Sequence, residues 1–268
     1  MRIRRRLAVA GVAASVVALL TACASTAQDP GAPTAQPSEP AQPAFEGELT
    51  IFAAASLKSA FDELAVAFEA ANPGVDVLPI VYDGSSTLVA QLIEGASADV
   101  FASADENNMQ KSVDAGLAAD PQLFATNTLV VAVPEGNPGG VEDLSDLADD
   151  GITVVLCAPE VPCGAASQRL LESAGVSVSP ASYEQNVTAV LTKVAAGEAD
   201  AGLVYATDVK ADPDVDSFVP EGAADVVNQY PIVALDDAAN PEAAAAFVAF
   251  VLGPEGQAVL AEHGFGAP

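Results

Sequence analysis

Two serines stand where the chain can do chemistry. Ser56 follows the apolar, strand-like run 49–52 and three alanines, and precedes Leu57, Phe61, Leu64, Ala65 and Phe68, which recur at helical spacing. Ser85 follows a second apolar run, residues 75–82, and opens a stretch in which Leu88, Leu92 and Ile93 fall on one helical face. Each serine therefore sits where a strand hands over to a helix. The first N–H groups of a helix lack intrahelical partners and lie at the positive end of its dipole, so such a junction can hold an anion without a cationic side chain. Serine is also an ordinary helix cap. The repetition of the arrangement favours the binding role over the capping one.

Charge narrows the choice of partner. The chain has 37 acidic residues against nine basic ones. Four of the nine lie within the first six positions, leaving Lys58, Lys111, Arg169, Lys193 and Lys210. No basic stripe can be assembled from these five, which excludes a nucleic-acid surface. Any anion site must work through local dipoles, because the net field repels anions. Lys58 and Arg169 lie near two helix starts, but charges on helices are usually solvated, and both are left out of the site. A hydrolase built on these serines lacks parts: there is no Gly-x-Ser-x-Gly elbow, no Ser-x-x-Lys pair, and a single histidine, His263, near the chain end. The chain is not expected to be an enzyme. A ferric-ion site would need paired tyrosines, carboxylates or histidines, and Tyr205 has no adjacent tyrosine.

The elements that must position the serines alternate in type. Residues 99–104 read as a strand and 106–115 as a helix; 129–134 is a nearly continuous apolar strand and the expected crossing into a second lobe. There the alternation resumes with a helix over 141–148, a strand over 152–157 and a helix over 164–174. Asn186 is placed to cap a helix through Val190, Leu191 and Val194, and residues 201–205 form a strand ending in Tyr205. Residues 230–235 read as the return crossing, and two helices follow, begun by Pro241 and Pro254. The fold class is α/β: two lobes, each a mostly parallel sheet flanked by helices, joined by two crossings as a hinged clamp. Lobe I takes residues 47–127 and 229–268, lobe II residues 128–228. Ligands in such sheets bind beyond the carboxyl ends of the strands. Ser56, Ser85, Cys163, Val187 and Tyr205 all fall at strand ends or helix starts, and these five positions are expected to line one cleft.

The first residues are a targeting segment. Arg2, Arg4, Arg5 and Arg6 precede an apolar run over 7–20, and Leu20-Thr21-Ala22-Cys23 resembles a bacterial lipobox. A signal peptide over 1–22 and a lipid on Cys23 are expected, placing the mature chain on the outer face of a membrane. Residues 23–45, rich in Ala, Pro, Gln, Ser and Thr, read as a solvated tether. About 220 residues remain, enough for lobes with substantial cores.

From Gly47 to Phe265 the chain resembles the molybdate-binding proteins of bacterial ABC importers. The segments that carry the likeness are 53–57 (AAASL), 85–88 (SSTL), 98–105 (ADVFASAD), 127–131 (NTLVV), 159–164 (PEVPCG), 203–205 (LVY), Tyr230-Pro231 and 263–265 (HGF). Each is weak alone; their order and spacing together are specific. The resemblance implies a periplasmic-binding fold of type II and a tetrahedral oxyanion held between the lobes by neutral donors. Ser56 and Ser85 would each offer hydroxyl and N–H, Tyr205 its hydroxyl, and Cys163 and Val187 their backbone N–H groups. Molybdenum would enter only as molybdate, with no separate metal site and no cofactor. Hydrogen bonds to an ionised group contribute roughly 1.5–3 kcal/mol each, so about seven of them offset much of a dianion's desolvation. Tungstate is nearly equal in size and charge; sulfate, another oxyanion or a signalling lobe are the competing readings. The implied partners are an ABC permease with its ATPase, a membrane reached through the lipid, and no second copy of the chain. Cys163 departs from the family, which commonly has another small residue there. Cys157 lies six positions earlier, and outside the cytoplasm a Cys157–Cys163 disulfide is expected to fix this loop.

Overall fold

A computed structural model of the chain describes residues 46–210 and 212–268. The expected signal peptide, Cys23 and the tether lie outside the described residues. The first half begins with β1 (Gly47–Leu49) and β2 (Ile51–Ala54), a 3-10 turn at Ala55–Leu57, and α1 (Lys58–Ala71). It continues through β3 (Val75–Val77), β4 (Val81–Asp83), α2 (Ser85–Ile93), β5 (Val100–Ala102) and α3 (Glu106–Asp114). The long strand β6 (Gln122–Pro134) leads out of it. Beyond lie β7 (Val154–Cys157), α4 (Pro162–Ala174), β8 (Ser182–Glu184), α5 (Val187–Ala195), β9 (Ala201–Tyr205), α6 (Ala206–Lys210) and β10 (Val215–Phe218). The chain returns on β11 (Val227–Ala234) and closes with α7 (Pro241–Leu252) and α8 (Pro254–Glu262).

The main sheet runs β4-β2-β5-β11-β6-β9-β7-β8, with β10 added to β6, while β1 and β3 form a separate parallel pair. On either flank the ladders are parallel: β2 with β4 and β5, β7 with β8 and β9. The two crossing strands pair antiparallel with one another, and β5 and β9 meet them antiparallel as well. The result is two α/β lobes that share the β6–β11 ladder. One lobe packs an aromatic core, in which Phe247 meets Phe61 and Phe68 edge to face, Phe124 meets Tyr230 in the same way, and Phe61 and Phe124 are tilted against one another. The other is aliphatic, built on Val130, Leu156, Leu170, Val190, Leu203 and Val204.

Local chemistry explains most element ends. Asp105 starts α3 by accepting from the Asn108 N–H at 2.8 Å, and Asn186 starts α5 by accepting from the Ala189 N–H at 2.9 Å. Pro241 and Pro254 occupy first-turn positions, where a missing N–H costs nothing. Two expected elements change. The strand expected over 75–82 is two strands, because Pro79 interrupts it and β3 pairs with β1 while β4 joins β2. The helix expected over 141–148 is only a 3-10 turn at Ser145–Ala148. There the Asp146 carboxylate accepts from the N–H groups of Glu142 and Asp143, offering the backbone a non-helical solution.

Candidate functional site

The carboxyl ends of β2, β4, β7 and β9 converge on one small pocket. Ser56 enters it from the 3-10 turn after β2, and Ser85, Cys163 and Val187 from the first turns of α2, α4 and α5. Tyr205, the last residue of β9, also lines it, on the same side of the central β6–β11 pair as Cys163 and Val187. All five residues singled out in the sequence are therefore brought together. Ser85 and Val187 are first helical residues and Cys163 the second, so their N–H groups have no intrahelical acceptor. Gly84, not Ser85, holds the cap position of α2, which leaves the Ser85 hydroxyl free of capping duty. The cavity these residues leave is about 10 Å³, room for roughly one water-sized centre. That is far below the roughly 300–1,000 Å³ typical of organic ligands, and suits an ion of few atoms.

Each of the three hydroxyls has a polar partner behind it. Ser85 Oγ accepts from the Ala104 N–H at 3.0 Å, and the Tyr205 hydroxyl accepts from Asn228 Nδ2 at 2.7 Å. Ser56 Oγ lies 3.0 Å from the Tyr230 hydroxyl, which in turn receives Asn127 Nδ2 at 3.4 Å. A hydroxyl has one proton and two lone pairs. With an inner N–H donor on a lone pair, the Ser85 and Tyr205 hydroxyls each keep their own proton to give to the pocket, while in the Ser56–Tyr230 pair either hydroxyl can be the donor. Burial pushes the pKa of both Tyr205 and Tyr230 well above the ordinary tyrosine value, so both remain protonated donors.

No lysine, arginine or histidine lines this pocket, but one carboxylate does. Asp83 Oδ1 accepts from its neighbour Gly84 N–H at 2.7 Å and from Asn186 Nδ2 at 2.8 Å. The second of these bonds spans the cleft between the lobes. A Cβ on Gly84 would lie 2.2 Å from the Gln185 carbonyl oxygen, so the two lobes touch backbone to backbone here. Asn108 Nδ2 reaches the Glu160 carbonyl at 3.4 Å as a further tie. Cys157 and Cys163 are disulfide-bonded, which closes the loop that presents the Cys163 amide. The Val161 N–H to Ala158 carbonyl bond, 3.0 Å, tightens the same loop.

Lys58 points away from the pocket, paired with Asp62 at 2.7 Å and lying over the Tyr82 ring. Arg169 is a different case. It donates through Nη2 to Asn228 Oδ1 at 3.1 Å, and thereby stands behind Tyr205. Asp83, Gly84, Asn127, Asn186, Asn228 and Tyr230 are the residues of this region that the sequence reading does not assign to the site. Asp83 and Gly84 lie in the Asp-Gly-Ser run, Asn186 reads as a helix cap, and Asn127 and Tyr230 fall in segments that carry the family likeness; Asn228 has no local signal.

Two lobes on a shared ladder, with donors from both facing a pocket of ionic size, define a solute-binding protein of the clamp type. A family model described as bacterial extracellular solute-binding protein matches residues 49–266. Over 260 residues the chain is 44% identical to the molybdate-binding protein ModA of Mycobacterium tuberculosis, covering 96% of each chain. Its counterpart ModA of Escherichia coli is 32% identical over 235 residues, 83% of this chain and 90% of that one. The solved periplasmic molybdate-binding protein of Azotobacter vinelandii shares the fold with a TM-score of 0.72 at 23% identity, over 82% of this chain and 99% of that chain. The chain belongs to the bacterial extracellular solute-binding protein family and has its two-lobed periplasmic-binding fold. It is a binding protein and not an enzyme.

The lobe contact at Gly84 gives one expected outcome. Its φ of −60° suits any residue, and the nearest atoms that the Cβ of Gly84→Ala would meet, the Gln185 carbonyl at 2.2 Å and Val161 Cγ1 at 3.2 Å, both lie across the cleft. Solute affinity should fall at least about tenfold while the melting temperature of the solute-free protein stays near that of the parent, the equivalent of a penalty of about 1.4 kcal/mol on closure alone. Calorimetry paired with thermal melts checks this. A second outcome concerns Asp208, which accepts from the Tyr205 N–H at 2.9 Å and whose pKa burial pushes up to about 7. The folded state then holds this proton more tightly than the unfolded chain. Stability from this group is complete below the ordinary aspartate pKa and is lost as pH rises to about 7. Asp208→Asn should therefore raise the melting temperature more at pH 8 than at pH 5, and a uniform shift at both would exclude this origin.

Proposed function

We propose that the chain captures molybdate, and tungstate with it, outside the cell and delivers it to an ABC importer. The observation that carries this reading is the convergence of Ser56, Ser85, Cys163, Val187 and Tyr205, from five separate segments, on one pocket of ionic size with neutral donors. The relatives named for molybdate, at 44% and 32% identity across nearly their whole length, support the choice of oxyanion. In this reading the two serines give hydroxyl and N–H, Tyr205 its hydroxyl, and Cys163 and Val187 their amides. Lobe I comprises residues 47–127 and 229–268, lobe II residues 128–228, and the anion draws them together because only the closed arrangement completes its shell. The protein works as a monomer, tethered through residues 23–45 to a lipid on Cys23. An anchor of that kind keeps the loaded protein near the permease.

A titration of the mature chain against molybdate, tungstate, sulfate and phosphate tests the reading. Stoichiometric, tight binding of molybdate and tungstate is expected, with sulfate far weaker; no heat with either of the first two would overturn it. Ser56→Ala, Ser85→Ala and Tyr205→Phe should each lose about ten- to a hundredfold in affinity, the worth of one hydrogen bond to a desolvated ion. Lys58→Ala should change affinity little. If the lysine variant loses more than the serine and tyrosine variants, the site relies on formal charge and the neutral-donor reading fails. For the anchor, the intact mass of the chain extracted from membranes should begin at Cys23 and include thiol-linked lipid; a chain recovered in the aqueous phase with an unmodified Cys23 would refute it.

A further inference from the structure

Each crossing strand carries a buried asparagine, and the two face one another: Asn127 of β6 is the register partner of Asn228 of β11. Both carboxamides are fully committed. Asn127 Oδ1 accepts from the Thr128 N–H at 3.0 Å, and its Nδ2 donates to Thr207 Oγ1 at 2.8 Å and to the Tyr230 hydroxyl. Asn228 Oδ1 accepts from Arg169, and its Nδ2 donates to the Ala104 carbonyl at 2.9 Å and to the Tyr205 hydroxyl at 2.7 Å. A guanidinium can only donate, and a carbonyl can only accept. With Arg169 on one side and the Ala104 carbonyl on the other, the Asn228 amide has one satisfiable orientation. Its Nδ2 must point at Tyr205.

We propose that Asn228 is a positioning and specificity-determining residue: by donating to the Tyr205 hydroxyl it occupies a lone pair of that hydroxyl and leaves its proton to be presented to the bound oxyanion. This rests on the oxyanion reading given above. An anion without a proton, such as molybdate, meets donors at this position. An oxyanion that carries a proton, such as hydrogen phosphate, needs an acceptor somewhere in its shell, and a Tyr205 hydroxyl already accepting from Asn228 is a poor one. Because Asn228 sits on the return crossing, holding Tyr205 from one lobe and the Ala104 carbonyl from the other, the same amide also links the donor to the closed arrangement. Arg169 takes part through Asn228 and not through the ligand.

The decisive variant is Asn228→Asp, which has nearly the same shape but can only accept. Its carboxylate keeps Arg169 and takes the Tyr205 proton, turning the hydroxyl's lone pair toward the ligand. Isothermal titrations of the parent, Asn228→Asp, Tyr205→Phe and the double variant with molybdate and with phosphate provide the test. Asn228→Asp is expected to lose more molybdate affinity than Tyr205→Phe does, beyond about a hundredfold, since it replaces a donor by an acceptor. In the Tyr205→Phe background most of that loss should vanish, and the ratio of molybdate to phosphate affinity should fall in Asn228→Asp but not in the double variant. Additive losses, or an unchanged ratio, would overturn the proposal and leave Asn228 a structural residue. Should Asn228→Asp fail to melt cooperatively, Asn228→Ala is used, with the same non-additivity with Tyr205→Phe expected and additivity again counting against it. If the parent binds neither molybdate nor tungstate, the functional reading has failed; if it binds and the cycle is additive, only the role of Asn228 has.

Discussion

The antiparallel ladder between β6 and β11 is the interaction on which the rest of the molecule depends. It runs from Val227 opposite Thr128 to Ile232 opposite Gln122, with an irregularity at Tyr230 and Pro231. The chain crosses between the lobes on these two strands, and β5 and β9, which end at the site, lie directly against them. The irregularity falls where Tyr230 turns into the core to meet Phe124 and Phe265 and to reach Ser56. The ladder is thus both the mechanical join of the two halves and the source of the amides that stand behind the pocket's hydroxyls.

A chain with a formal charge of −28 gains nothing from long-range attraction when its ligand is an anion. The pocket compensates locally, with unpaired helix-start amides and hydroxyls held as donors, in surroundings where each such bond is stronger than in water. Asp83 is the apparent contradiction. Its charge is met by the Gly84 and Asn186 donors, and it spends that charge on joining the lobes at the rim.

The alternation of strands and helices, the two crossings and the five pocket residues were legible in the sequence because each depends on short-range patterns: apolar periodicity, a serine or asparagine at a helix start, a strand ending in tyrosine. What could not be read was set by distance along the chain. Asn228 is 23 residues from Tyr205 and 124 from Ala104, and nothing local marks it as more than a polar residue in a strand. The contact of Gly84 with Gln185 likewise exists only once the lobes meet. Two local errors have local causes. Pro79 was a visible interruption of residues 75–82, whereas Val141, Leu144 and Leu147 share a helix-like spacing although the Asn137 and Asp146 side chains hold the backbone otherwise.

The small ring closed by Cys157 and Cys163 has a consequence for the thermodynamics of capture. Ordering a free loop around a ligand draws on chain entropy at the moment of binding, and that cost is subtracted from the affinity. Here the loop's freedom is already gone in the oxidised protein, spent when the chain folded, so the Cys163 amide waits in place. Encounter then requires the lobes to move as bodies but no segment of this loop to search for its conformation. The entropy of association is left to the closing of the lobes and to water released from the ion and the cleft.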